Sequence, residues 1–349
     1  MKFKKFLTLG MATILTSSML VGCGNSDEPT TEDQGTTSEE SVMKIGMITD
    51  TGGINDESFN QITWKGLQDV QEEVGSDKLE IKYLESSQDS DFIPNIETFV
   101  DEELDLIIGV GFKIENAIQE SAEYFPEQKF AMIDGVVDAE NVVSLLFNDN
   151  ESSYLVGLIA GKMTETDKVG FIGGMVGEVV ERFRWGFRAG AEAANPDVVF
   201  VDQYADSFVD VAKGKTIATQ MYNDGADVIL SAAGAVGIGV IESAKENDKK
   251  TIGVDLDQNH LAPDNIISSA TKNIDVAISS VVRDLVNGTF QGGETVMGTL
   301  ANNGVGIAAT TDKNVQPDVI EFVNQEAEKI KSGEITVPKT EEEYNELNQ

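Results

Sequence analysis

The chain has 349 residues, 40% of them hydrophobic, enough to build two domains of ordinary size around real cores. Its 61 acidic residues outnumber 25 basic ones, for a formal charge of -36. A surface of that sign repels a phosphate backbone and excludes general nucleic-acid binding.

In chain order, the first element is a leader. Met1 to Lys5 carries three lysines, an apolar stretch follows from Phe6 to Val21, and Leu20-Val21-Gly22-Cys23 closes it. The apolar part is too short and too interrupted by Thr and Ser for a membrane span, and reads as a signal peptide over 1–22. Small residues before a cysteine at that point are similar to a bacterial lipobox. Cys23, the only cysteine, is then the new N-terminus and the acylation site, and no cysteine remains for disulfides. Acyl chains bury their methylenes at about 0.8 kcal/mol each, so more than one holds firmly. Residues 24–41 are rich in Ser, Thr and acids and lack large apolar groups, so 23–42 reads as a disordered tether.

From Lys44 onward, short β-rich runs alternate with longer helical patterns. Strands are predicted at 44–48, 79–83, 106–110, 130–133, 142–147, 169–172, 198–204, 228–232, 251–254 and 266–270. Helices are predicted at 58–74, 93–102, 114–124, 151–163, 179–194, 210–224, 237–245 and 274–287. Such alternation argues for parallel sheets covered on both faces, an α/β fold. The chain also repeats itself. "KIGMITDTGG" at Lys44 returns as "KVGFIGGMVG" at Lys168; "DLIIGVG" at Asp105 as "DVILSAAG" at Asp227; "KFAMIDG" at Lys129 as "KTIGVDL" at Lys250. The offsets are 168 − 44 = 124, 227 − 105 = 122 and 250 − 129 = 121. Two similar lobes follow, with boundaries expected at 43–148 and 149–270, and with 271–349 supplying crossover segments and a last helix from Pro317.

In open α/β sheets ligands sit beyond the carboxyl ends of the strands, and clefts between domains are favoured sites. The residues there are Asp50 to Asn60, Gly109 to Phe112, Asp134-Gly135, Gly173-Gly174, Asp206 to Phe208, Ala233-Gly234, Asp255 to Asp257 and Thr271-Lys272. Catalysis and metal binding find little support in this set. The single histidine, His260, reads as a solvated loop residue; zinc lacks its usual ligands, no Gly-x-Ser-x-Gly elbow occurs, and the glycines do not match a phosphate loop. Asp134 and Asp255 can instead accept hydroxyl donors while Lys272 donates to the same hydroxyls. Phe59 and Phe208 can stack on a flat ring, and Asp50 and Asn60 can read its edge. A sugar joined to a base is the ligand that fits. Asp56, Glu57 and Ser58 are expected chiefly to start a helix, Ser58 and Gln61 having capping-box spacing, and Gly52 and Gly53 to shape the turn.

The stretches "DTGGINDESFNQITWKGL", "AMIDG", "ERFRWGFRAG", "YADSFVDVAKGK", "SAAGAVGIGVIESA" and "IGVDLDQ" resemble the basic membrane protein (Bmp) family of bacterial lipoproteins, which includes purine nucleoside receptors. The resemblance spans 43 to about 311. It implies a type I periplasmic-binding-protein fold of two Rossmann-like lobes. It also implies a non-enzymatic, monomeric substrate-binding component of an ABC importer for nucleosides, working with a separate permease and ATPase, lipid-anchored on the outer face of the cell membrane and needing no cofactor. By motif it assigns ligand contacts to Asp50, Phe59, Asn60, Asp134, Phe208, Gly234, Asp255 and Lys272. Glu57 stands where the family often has Lys. A sugar or autoinducer receptor of the same fold, and a regulatory lipoprotein acting through a protein partner, are the alternatives.

Overall fold

The computed structural model describes residues 42–347; the leader, Cys23 and the tether up to residue 41 lie outside them. The elements run β1 (Met43–Ile48), α1 (Phe59–Val74), β2 (Leu79–Leu84), α2 (Phe92–Asp101), β3 (Leu106–Val110), α3 (Glu115–Tyr124), β4 (Phe130–Ile133) and β5 (Val142–Phe147). Next come α4 (Asp149–Met163), β6 (Lys168–Gly173), α5 (Glu178–Ala194), β7 (Val199–Tyr204), α6 (Val211–Asn223), β8 (Val228–Ala232), α7 (Val236–Asn247), β9 (Lys250–Asp255) and β10 (Ile266–Lys272). The last part holds α8 (Ile274–Val286), β11 (Glu294–Gly298), β12 (Val305–Ile307), α9 (Pro317–Lys331) and α10 (Glu341–Leu347).

Two six-stranded sheets result, ordered β11-β5-β4-β3-β1-β2 and β12-β10-β9-β8-β6-β7. Every pairing is parallel except β12 on β10. Central strands such as β3 and β8 are buried along their whole length, the continuous apolar pattern that helices on both faces require. The sequence repeats are the equivalent strands: β1 and β6, β3 and β8, β4 and β9.

Three chain segments pass between the lobes: β5 into α4, β10 into α8, and β11 into β12. They are laced together. Asn148 N–H donates to Gly298 O (2.8 Å), Asn273 N–H to Gly304 O (2.9 Å), and Leu300 N–H to the Glu151 carboxylate (2.7 Å).

Helices α4 and α5 pack backbone to backbone. A Cβ on Gly157 would lie 2.3 Å from Phe187 O, on Gly186 2.3 Å from Asn150 O, and on Gly190 2.1 Å from Tyr154 O. Only hydrogen fits at these three points. Both edge elements β11 and β12 are additions to the expected strands, and β10 runs through Thr271 and Lys272 rather than ending before them.

Candidate functional site

The carboxyl edges of the two sheets face one cleft of about 570 Å³ of empty space, its mouth included. The first lobe contributes Asp50, Gly52, Asp56, Phe59, Gly111, Phe112 and Asp134. The second contributes Val179, Val180, Phe183, Phe208, Ala232, Ala233, Gly234, Val254, Asp255 and Lys272. Seven of the eight residues singled out from the sequence therefore line one cavity. The walls are mostly apolar and the polar groups are few and buried, the composition of a small-molecule site.

Asn60 is the exception. It is buried and absent from the lining. Its Nδ2 donates to Asp50 Oδ1 (2.8 Å) and Asp56 Oδ2 (2.9 Å), and its Oδ1 accepts from Asp50 N–H (3.3 Å). Its amide is spent on holding Asp50, which also accepts from Gly52 N–H (2.7 Å). Burial raises the Asp50 carboxyl above its ordinary value, against the opposing pull of the Asn60 bond.

The helix start differs as well. Ser58 is the N-cap of α1 but makes no side-chain cap bond. Asp56 caps in its place, accepting from Ser58, Asn60 and Gln61 N–H at 3.0, 2.8 and 3.1 Å. The Ser58 hydroxyl is thereby free to donate across the cleft to Asp255 Oδ2 in a short bond. Beside it, Gln258 Nε2 donates to Glu57 O (2.7 Å), and exposed His260 lies 3.4 Å from the Glu57 carboxylate. The "NDES" turn thus bridges the lobes, which helix-start spacing does not signal.

Lys272 ends β10 fully inside the protein. Its amine contacts Asp134 Oδ2 at 2.6 Å and Asp149 Oδ1 at 2.9 Å. It also stands 5.3, 5.3 and 5.6 Å from the ring centres of Phe59, Phe147 and Phe183. Burial works against its charge; Asp134, Asp149 and Asp255 outweigh burial and hold the amine above its ordinary value. Burial is the largest influence on Asp255, and its carboxyl is pushed up to about 7. Asp134 Oδ1 is buried without a hydrogen-bond partner in the protein, as is Asp149 Oδ1, which meets the Lys272 amine as an ion pair.

Phe208 is seated by glycine. A Cβ on Gly174 would come 2.2 Å from the Phe208 ring. Gly234, at φ +56°, lies directly under it, where a side chain would be strained. Phe112 meets the Phe208 ring edge-on at 6.2 Å, closing the cleft from the other lobe. Among the described residues no cluster of His, Cys, Asp and Glu is placed to hold a metal, and no helix is long and apolar enough to cross a membrane.

Known proteins share this design. An antigen of Listeria innocua named "CD4+ T-cell-stimulating antigen" is 38% identical over 96% of this chain and 99% of its own. The "ABC transporter nucleoside-binding protein BmpA" of Lactococcus lactis is 35% identical over the same shares. The crystal structure of an ABC transporter solute-binding protein from Aeropyrum pernix superimposes with a TM-score of 0.80 at 27% identity, covering 88% of this chain and 96% of that one. The architecture is the type I fold of solute-binding proteins. Residues 43–341 match the family described as "Bmp: ABC transporter substrate-binding protein PnrA-like", and with the two-lobed cleft this makes the chain a member of the Bmp family of ABC transporter substrate-binding proteins.

Proposed function

We propose that this protein is the nucleoside receptor of an ABC importer, with purine nucleosides as its ligands, held outside the cell membrane by lipid on Cys23. The observation that carries the reading is the pairing, in one cleft, of aromatic rings from both lobes with a buried hydroxyl-binding set. Phe59 and Phe208 offer faces to a base. Asp50, held by Asn60, accepts from its edge. Asp134 and Asp255 accept ribose hydroxyls, Lys272 donates to them, and Gly234 leaves room beside Phe208. A flat base can stack with its full π face on such rings, whereas a sugar ring meets them only through its C–H groups. The relative from Lactococcus lactis bears a nucleoside-binding name, which supports the reading.

The ligand sits between two sheets that share three crossings, so capture is a closure of lobes 43–148 and 149–270 about the crossing at 147–149 and the crossover segments in 271–349. The closed monomer then docks on a permease served by an ATPase. Titration calorimetry with inosine, guanosine, adenosine, cytidine and free ribose tests the ligand. Purine nucleosides bind most tightly on this reading; heat with ribose and none with any nucleoside overturns it. Mass spectrometry of the N-terminal peptide tests the anchor, with diacylated Cys23 expected and an unmodified Met1 start ruling it out.

A further inference from the structure

Lys272 is a fully buried cation whose two cleft-side neighbours, Asp134 and Asp255, are the groups a ligand would engage. Asp149 is different. It is completely buried, lies outside the cleft lining, and starts α4 at the first crossing between lobes. Its Oδ1 meets the Lys272 amine at 2.9 Å and its Oδ2 accepts from Arg182 Nε at 3.1 Å. Arg182 lies on α5 within "ERFRWGFRAG", one helical turn before Gly186. The close approach at Gly186 over Asn150 is what brings its guanidinium to Asp149. Asp149, Arg182 and Lys272 all belong to the second lobe, since α4 packs on α5, β10 and β12. Asp134 belongs to the first.

We propose that Asp149 and Arg182 are a positioning pair for ligand binding: they fix the Lys272 amine at the cleft wall independently of the first lobe. The inference rests on the nucleoside reading for the ligand it names. When the lobes part, Asp134 moves with the other sheet, and a buried amine that loses this ion pair without compensation is costly or swings away, toward Asp255 on its own lobe. Asp149 stays. When a ligand arrives, Asp134 and Asp255 turn lone pairs to its hydroxyls, and Asp149 continues to hold the cation that donates to the same hydroxyls. Arg182 keeps Asp149 from following Lys272 into the cleft, because its Nε occupies the second carboxylate oxygen. The two glycine-lined helices are, on this view, the mount of the ligand-binding lysine.

The test compares the full-length protein with Asp149→Asn, Arg182→Gln and Arg182→Lys, using adenosine and 2′,3′-dideoxyadenosine in calorimetry. Both charge-removing variants should lose about tenfold or more in adenosine affinity, by analogy with the loss that removing the partner of a metal-ligating side chain brings in metal affinity. They should lose little for the dideoxy compound, so that the preference for hydroxyls collapses, and Arg182→Lys should restore part of it. Equal weakening of both compounds, or no weakening of either, overturns the proposal. If the wild type binds neither compound, or does not prefer the hydroxyls, the nucleoside reading fails, and the proposal is judged on the ligand-free protein. There, ¹⁵N NMR follows exchange of the Lys272 ammonium protons with water. Faster exchange in Asp149→Asn and Arg182→Gln, with backbone amides of the second sheet unchanged, supports it; unchanged ammonium exchange overturns it.

Discussion

Asp134 and Asp255 hold the same place in the two lobes, at the carboxyl ends of β4 and β9, and share a left-handed backbone at φ +62° and +67°. Both act on the single buried amine of Lys272. Left-handed geometry is rare outside glycine, and Asp is among the few residues that adopt it. Here it turns each carboxyl off its strand and into the cleft, so a strained conformation recurs where chemistry needs it.

Removing the shared cation exposes what it neutralises. Lys272→Met leaves Asp134 buried without its ion-pair partner and Asp149 with Arg182 alone, and breaking a buried pair in this way typically destabilises by about 3–5 kcal/mol. Urea unfolding should show that loss, with nucleoside binding abolished. A variant as stable as the wild type would mean that the carboxylates are neutral in the folded protein.

Stacking should be separable from hydroxyl recognition. Phe59→Ala and Phe208→Ala each remove one aromatic wall, and stacking on a base is worth about 1–3 kcal/mol. Calorimetry should find nucleoside affinity lower by roughly ten- to a hundredfold in each. Any binding of free ribose should be little changed by Phe208→Ala. Phe59→Ala should affect it more, because that ring also flanks Lys272 at 5.3 Å.

The Asp255 carboxyl gives binding a pH dependence. Burial raises it to about 7 from an ordinary 3.8, so the ligand-free closed protein holds a proton there that the unfolded chain has already released. That carboxyl favours the folded ligand-free state fully below about 3.8, and the contribution is lost as pH rises through about 7. Asp255 Oδ2 already accepts from Ser58, and a carboxyl that accepts a hydroxyl on its other oxygen as well must be ionised. Nucleoside affinity should therefore fall as pH drops below about 7, by at most about tenfold per pH unit, and level off above it. Calorimetry at pH 6 in buffers of different ionisation heat should report proton release, and Asp255→Asn should flatten the profile.

Gly190→Ala tests the helix mount. Its methyl would sit 2.1 Å from Tyr154 O, a backbone atom that cannot turn aside. Overpacking of this kind costs about 1–3 kcal/mol. A lower melting temperature should accompany weaker ligand binding, because α4 and Asp149 must shift together.

Much of this was legible in the sequence for a physical reason. Buried parallel strands are unbroken apolar runs, and a duplicated lobe prints its strands twice, so Asp50, Asp134, Gly234 and Asp255 could be located at strand ends by position alone. Asn60 followed the same logic, but strand-end placement says nothing of where an amide spends its bonds, and Asp50 and Asp56 take all of Asn60's donors. Ser58 had capping spacing, yet Asp56, two residues earlier, reaches the same N–H groups first. The short edge strands β11 and β12 escaped notice because one is largely exposed and the other has three residues. Phe183 and Arg182 come from inside a helix, where a core pattern hides a cleft wall; only the glycines four and eight residues past Arg182 hint at a close approach there.

The three crossings carry a consequence for how the chain can be divided. Residues 43–148 encode five of the first sheet's six strands, but β11 and the helix α8 that packs on α1 come from the far end of the chain. A gene fragment ending at the first crossing would thus yield an unfinished half with a bare sheet edge, and a protease nick at any one crossing would leave the halves joined by the other two.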